Sequence, residues 1–242
     1  TQVVQEVSEV RDNAAFVYQI NQNGTGNAAK QAAYVLRAQG YDGNILVVPG
    51  DKVFEDTALE RLFRIFRESG ADVALMAADK KQWPNSGRIV YDRSGRPVDI
   101  VEKRDVQKMI LSRRFLDLAA EKGFVPSSLL REEILKEIPS ESKARLMFPE
   151  LLSRTGTKEN LSREEMEEII PESSRSYLFE TGGEQIIMSG EELERTCDTV
   201  NASVYLFTAE SFYRWIFSLN TDNAQREEYL TDVIRLLARD PE

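Results

Sequence analysis

Histidine is absent from this 242-residue chain, and cysteine occurs once, at Cys197. Together these scarcities exclude a Ser-His-Asp or Cys-His triad, a zinc site of the His/Cys kind and any disulfide within the chain. Catalysis is left to carboxylates, backbone amides, Lys and Arg, or a hard cation held by oxygen. Positive charge is also in short supply. Lys and Arg number 31 against 41 Asp and Glu, a net charge of -10, with a pI near 4.9. Such a chain suits neither nucleic acid nor an anionic membrane surface. Long apolar runs are missing as well: Asn44–Pro49 (NILVVP) is far short of the roughly 20 residues of a membrane-spanning helix. No basic-then-apolar signal pattern opens the chain, so the expected setting is the cytoplasm. It starts Thr1-Gln2-Val3 rather than with Met, as expected of a trimmed or excised piece.

What is present suits a folded protein. Hydrophobic residues make up 41% and aromatics 9%, enough for one large core or two small ones. Up to Glu102, short β-branched runs alternate with amphipathic helical runs, the βαβ rhythm of a mostly parallel sheet covered by helices. Ala15–Ile20 reads as a strand, followed by a Gly-rich turn, Asn23-Gly24-Thr25-Gly26, and a helix through Ala28, Ala32, Ala33, Val35 and Leu36. Asn44–Val48 reads as a buried strand. Asp56–Glu68 places Leu59, Leu62, Phe63 and Phe66 on one helical face, and Ala71–Ala77 is another strand. Arg88–Tyr91 and Pro97–Glu102 flank Asp92-Arg93-Ser94-Gly95, the pattern of a hairpin.

From Val106 to Cys197 the period turns helical and the composition charged, with 18 Asp and Glu against 13 Lys and Arg. Two capping boxes, Ser162 with Glu165 and Ser189 with Glu192, mark helix starts. Between them Tyr177–Met188 reads as a hairpin around Gly182-Gly183. Val200–Phe207 resumes a strand, and two helices close the chain, Ala209–Leu219 and Ala224–Arg239.

Three constellations could carry chemistry. In the Gly-rich turn, Gly24 and Gly26 let the backbone approach a ligand, and the free amides at the helix start favour an anion; a tight strand-to-helix turn needing Gly reads equally well. In Val47-Val48-Pro49-Gly50-Asp51, a carboxylate stands beyond the C-terminal end of a buried strand, where it could hold Mg²⁺ bridging phosphates. The alternative for Asp51 is a helix cap, but Asp56 is better placed as the cap of the next helix, which favours the metal. Third, Glu102 ends the hairpin that Gly87 opens; such a carboxylate could accept hydrogen bonds from sugar hydroxyls, or be a solvated strand end.

Taken in order, these segments resemble the bacterial N-acetylglucosamine-1-phosphate uridyltransferases. The resemblance lies in Gln19…Gly24-Thr25-Gly26, Gly50-Asp51, Ser86-Gly87-Arg88-Ile89-Val90…Ile100-Val101-Glu102-Lys103, Asn201-Ala202-Ser203-Val204-Tyr205-Leu206-Phe207 and Asn223-Ala224-Gln225-Arg226-Glu227-Glu228-Tyr229-Leu230-Thr231-Asp232. The last is the most specific: the family writes an Asn-Ala-Gln-Gly-Glu-Tyr-Tyr-(Leu/Ile)-Thr-Asp run, changed here only at Arg226 and Glu228. The resemblance covers residues 14–105 and 198–240. It implies an α/β fold, a Rossmann-like mixed sheet of the nucleotide-diphospho-sugar transferase type, with a mainly helical insert. The transferase domain would be residues 1–105 and 198–242, and the insert residues 106–197.

The resemblance also implies roles. Gln19 would read the uracil edge with Gly24 and Thr25 beside the base, Gly50 would lie near the nucleoside, and Asp51 would be the catalytic Mg²⁺ ligand. Gly87, Glu102, Asn201, Tyr229 and Thr231 would surround the sugar. The implied reaction is UMP transfer from UTP to N-acetylglucosamine 1-phosphate, releasing pyrophosphate, which positioning and charge neutralisation can drive without histidine. The family's opening Gly-rich loop, with the Arg and Lys that grip the triphosphate, has no match here, so these residues alone are expected to be an inactive portion. The family's second metal ligand and its acetyltransferase β-helix would lie beyond Glu242. The insert reads either as a solvated surface subdomain or as a lid or partner-binding face that shapes acceptor choice. Two alternatives stay open: a nucleotidyltransferase for another base or hexose 1-phosphate, and a non-catalytic sugar-nucleotide binder.

Overall fold

The computed structural model describes residues 2–11, 13–171, 174–181 and 183–240. A central strand, β9 (Thr199–Thr208), organises the main sheet. Before it come helix α1 (Gln2–Val10), helix α2 (Thr25–Ala38), strand β1 (Asn44–Val47), helix α3 (Asp56–Ser69), strand β2 (Val73–Asp79) and the hairpin β3 (Arg88–Tyr91) and β4 (Pro97–Val101). Strand β2 pairs along one edge of β9; β1 and β3 share the other, and β4 extends the sheet from β3. The α/β sheet with helices on both faces is as the sequence indicates, but the mostly parallel pairing is not. Every ladder among the described residues is antiparallel, because β9 separates β1 from β2, which would otherwise be parallel neighbours.

Alternation along β9 sorts the two cores. Tyr205 and Phe207 face Ala29 and Ala33 of α2 and the helices α10 (Ala209–Ile216) and α11 (Asp232–Arg239). Val204 and Leu206 face Leu62 and Phe66 of α3. Burying each such side chain is worth about 1.5–3 kcal/mol. Phe63, expected on the same face of α3, is 44% exposed; it lies about 100° around the helix from Leu62, off the stripe that meets the sheet.

Residues 103–197 build α4 (Lys103–Lys122), β5 (Phe124–Pro126), α5 (Ser127–Glu137), α6 (Glu141–Met147), α7 (Pro149–Arg154), β6 (Asn160–Ser162), α8 (Arg163–Ile169), β7 (Tyr177–Thr181), β8 (Glu184–Met188) and α9 (Gly190–Thr196). Both capping boxes form: Ser162 and Ser189 each accept from the amide three residues on, while Glu165 and Glu192 reach back to the cap amides. The hairpin expected over Tyr177–Met188 is β7 and β8; Gly182, at its turn, lies outside the described residues. Leu111, Phe115, Leu130, Ile134, Met147, Leu151, Leu161 and Met166 form a core apart from the sheet. A third cluster, including Val98, Val106, Phe179, Leu193 and the buried thiol of Cys197, joins α4, β7 and α9 to β4 and α11.

Three local expectations are corrected. Residues 15–20 form no strand: no described strand offers them a partner, and an extended run without a ladder gains nothing to offset its ordering. Helix α3 is capped by Glu55, without a side-chain hydrogen bond, and Asp56 is its first residue; there its carboxylate still meets the positive end of the helix. The last helix starts at Asp232 rather than Ala224. Residues 223–231 are held as a loop instead, because the Asn223 side chain accepts the amides of Gln225 and Glu227 on Oδ1 while its Nδ2 donates to the Glu227 backbone carbonyl.

Candidate functional site

A cavity of about 570 Å³ opens where α2, the end of β1, β9 and the 223–231 loop converge. Its walls follow from local periodicity. On α2, Thr25, Ala28, Ala29 and Ala32 recur at helical spacing and their small side chains leave room. From β9, the alternate residues Asn201, Ser203 and Tyr205 point in. Val47, Val48, Pro49 and Gly50 form the end of β1, Glu102 comes from the end of the hairpin, and the loop supplies Gln225, Glu227, Tyr229, Leu230 and Thr231.

The loop is laced to the Gly-rich turn. The Gly26 amide donates to the Glu228 carbonyl at 2.8 Å, the Glu228 amide to the Asn23 carbonyl at 2.9 Å, and the Leu230 amide to Thr25 Oγ1 at 3.2 Å. Lys30 Nζ meets the Glu228 carboxylate at 2.6 Å, and Asn27 Nδ2 donates to its other oxygen at 3.1 Å. Gly24 is required there: its φ is +96°, and a Cβ would come within 2.5 Å of the Glu228 carbonyl oxygen.

At the opposite end, Thr231 Oγ1 donates to Glu102 Oε1 at 3.1 Å. Burial pushes the Glu102 carboxyl up to about 7, against the hydrogen bond from Thr231; Asp105 and Asp232 add to the rise and Arg88 opposes it. Gly87 backs this carboxylate: a Cβ there would stand 2.8 Å from Ile100 Cγ2 and 3.3 Å from either Glu102 oxygen, and its carbonyl accepts from the Asn201 amide at 2.9 Å. Asn201 is fixed from both sides: Oδ1 accepts from the Ser203 amide at 2.8 Å and Nδ2 donates to Tyr205 Oη at 2.6 Å. Ser203 holds a left-handed φ of 68°, the bend that lets Asn201 reach its amide. Tyr229 Oη accepts from Gln225 Nε2 at 2.9 Å.

Of the residues singled out in the sequence, Thr25, Gly50, Glu102, Asn201, Tyr229 and Thr231 thus line one cavity, and Gly87 lies directly behind Glu102. Gly24 and Gln19 lie outside the lining: Gln19 Nε2 donates to the Gly24 carbonyl at 3.1 Å and to Asn27 Oδ1 at 3.2 Å. Asp51 follows Gly50 but is exposed, with no hydrogen bond or ion pair among the described residues. Magnesium commonly takes one or two carboxylates and completes its shell with substrate phosphates and water; a free Asp51 fits that sharing mode. Among the described residues no group of three or more acidic or thiol side chains could hold a metal unaided. Ser203, Tyr205, Gln225, Glu227 and the alanine face of α2 also line it, although the sequence offers them only within longer runs and no site role; the alternation from Asn201 and the helical spacing from Thr25 are the signals that mark Ser203, Tyr205 and the alanines.

A concave site at the C-terminal end of β1, walled by a helix N-terminus, is an arrangement suited to nucleotides. The nucleotidyl transferase family matches residues 2–168, and the chain belongs to that family. Its similarity to curated proteins is more local. It is 43% identical over 91 residues to the bifunctional protein GlmU of Prochlorococcus marinus (strain MIT 9313), covering 37% of this chain and 20% of that protein. The corresponding protein of Acholeplasma laidlawii (strain PG-8A) is 37% identical over 97 residues, 40% of this chain and 21% of that protein. That of Synechococcus sp. (strain CC9902) is 35% identical over 103 residues, 42% of this chain and 22% of that protein. The matched stretch spans about a fifth of the length of these relatives. Among the described residues, no helix is long and apolar enough to cross a membrane.

Proposed function

We propose that this chain carries the sugar-nucleotide site of a Mg²⁺-dependent uridylyltransferase that joins UTP and N-acetylglucosamine 1-phosphate. The observation that carries the reading is the convergence of Thr25, Gly50, Glu102, Asn201, Tyr229 and Thr231, drawn from five separated segments, on one cavity. In the reaction an oxygen of the sugar phosphate attacks the α-phosphorus of UTP, and the bond to pyrophosphate breaks.

Each group has a chemical reason to be there. The amides around Gly24–Gly26 and the Gln19 carboxamide offer neutral donors and acceptors suited to a base edge. Gly50 lets the nucleoside approach the end of β1. A carboxyl that titrates near neutrality, Glu102, can donate to or accept from a sugar hydroxyl, and the Asn201 amide and the Tyr229 and Thr231 hydroxyls complete a polar rim for a polyhydroxylated ring. Bound beside Asp51, Mg²⁺ would neutralise phosphate charge.

Calorimetric titration with UDP-N-acetylglucosamine tests the site, and pyrophosphate release from UTP plus N-acetylglucosamine 1-phosphate, by protein that carries the family's opening Gly-rich loop ahead of this chain, tests the reaction. Saturable binding that Glu102→Gln weakens about tenfold, the loss of one good hydrogen bond to a charged group, is the expected result. Mg²⁺-dependent release should fall with Asp51→Asn. Preference for another NTP or hexose phosphate would replace the substrate assignment, binding without turnover by any pair would make the chain a sugar-nucleotide binder, and no binding of any nucleotide sugar would overturn the reading.

A further inference from the structure

The sugar end of the cavity is flanked by two cations that the residues lining it do not neutralise. Arg88 follows Gly87, and Lys103 follows Glu102. Both turn to one acid on α9, Glu194: Arg88 Nη2 approaches its carboxylate at 2.8 Å and Lys103 Nζ at 2.6 Å. Lys80 also donates to the Glu194 backbone carbonyl. Arg88 is only 1% exposed, with Nη1 on the Ser86 carbonyl and Nε without a partner, so Glu194 is the carboxylate that satisfies its buried charge. Burial alone would raise the Glu194 carboxyl, yet the hydrogen bonds from Lys103 and Arg88 hold it below the ordinary range.

We propose that Glu194, in the 106–197 segment, is a positioning residue for the sugar site: by holding Arg88 and Lys103 on its own carboxylate, it keeps both cations off Glu102 and fixes the backbone that carries Gly87 and Glu102. This rests on the sugar-nucleotide reading of the cavity. The groups facing Glu102 are Arg88 from β3, Asp105 from α4, Asp232 from α11, Thr231 and Tyr229 from the 223–231 loop, and Tyr205 from β9. Among the first three, Arg88 is the cation. With Glu194 neutralised, the carboxylate available to compensate its buried charge is Glu102, and a cation released within about 4–6 Å of a carboxyl weakens its hold on a proton.

The test compares wild type with Glu194→Gln, which keeps the shape and removes the charge, and Glu194→Asp, which keeps the charge. Carbon NMR of the glutamate carboxyls, with Glu102→Gln to assign the resonance, reads the Glu102 titration without ligand. Glu194→Gln should weaken the proton affinity of Glu102 about tenfold, and Glu194→Asp should restore most of it. In parallel, the pH dependence of UDP-N-acetylglucosamine affinity should move the same way. An unchanged Glu102 titration in Glu194→Gln would overturn the proposal, as would a change that Glu194→Asp shares in full. Failure of the wild type to bind any nucleotide sugar would instead count against the reading of the cavity, and the ligand-free titration would still decide the role of Glu194.

Discussion

The Asp105 carboxylate, in the first turn of α4, accepts a hydrogen bond from the Ala224 amide at 2.7 Å, and the Ala224 side chain is buried in the separate core of residues 111–170. Ala224 is the member of that core contributed by the loop carrying Gln225, Glu227, Tyr229 and Thr231. The charged middle of the chain therefore anchors one wall of the cavity, by a polar tether and an apolar one side by side. Asp105→Ala should destabilise the fold by about 1–3 kcal/mol, the cost of a buried amide left without its acceptor, and should weaken UDP-N-acetylglucosamine binding. Asp105→Asn retains an acceptor oxygen and should lose less of both. Urea denaturation and calorimetry on the pair check this; equal affinities for wild type and Asp105→Ala would show that the loop stands without its tether.

Acidic groups in and beside the cavity give stability a distinctive pH dependence. Burial is the first cause in each case, raising Glu102 to about 7 and Asp99 and Asp105 to about 6. The folded chain therefore keeps protons that the unfolded chain has released. Their contribution is fully present below the ordinary carboxylate range and is lost as pH rises through the folded values, so it declines between about pH 4 and 7. Surface carboxylates held below their ordinary range, such as Asp92 and Glu141, act with the opposite sign but at lower pH, outside this window. The midpoint of thermal unfolding should fall from pH 5 to pH 8, and Glu102→Gln with Asp99→Asn should flatten the slope. A midpoint that is constant or rising over that range in the wild type contradicts the assignment.

The interlock between the Gly-rich turn and the loop should be intolerant of a single methyl. Gly24→Ala puts an L-residue at φ +96° and its Cβ against the Glu228 carbonyl oxygen. The strain should cost about 2 kcal/mol or more and should abolish binding of both UTP and UDP-N-acetylglucosamine, since one end of the cavity opens. Gly40→Ala is the control: φ is also positive, at +68°, but no atom lies within 4 Å of its Cβ, so it should lose some stability and keep its binding. Equal loss of binding in both variants would make the effect one of general stability.

What the sequence disclosed follows from how local each cause is. The capping boxes at Ser162 and Ser189 are four-residue codes and were legible, as was the hairpin that carries Glu102, because its turn residues are adjacent. The strand expected at 15–20 was not, since a strand exists only where another segment supplies its hydrogen bonds. The antiparallel sheet was hidden for the same reason: nothing local says that β9, more than a hundred residues later, lies between β1 and β2. The meeting of Glu102, Asn201, Tyr229 and Thr231 on one cavity was legible through the motif order, whereas Glu194 was not. Its partners, Arg88 and Lys103, are some ninety and more residues distant, and in the sequence it is one glutamate among many on a charged helix.

One departure from the family run has a measurable cost. Where that run has Gly, this chain has Arg226 in the left-handed region at φ 55°, closing a turn in which its amide donates to the Asn223 carbonyl at 3.2 Å. The side chain is exposed, so little packing offsets the penalty, about 1–2 kcal/mol for an L-residue held there. Glycine at this position would remove the clash between Cβ and carbonyl, while its freer unfolded chain would return roughly 0.5–1 kcal/mol of the gain. Arg226→Gly should therefore stabilise the chain by about 0.5–1 kcal/mol in urea denaturation. Arg226→Ala, which keeps the Cβ, should give no such gain; equal stabilisation by Ala would trace the effect to the guanidinium rather than the backbone. Because Asn223 also takes the Gln225 and Glu227 amides, relaxing the turn should leave the Gln225–Tyr229 contact in place, and nucleotide-sugar affinity should stay within about twofold of wild type.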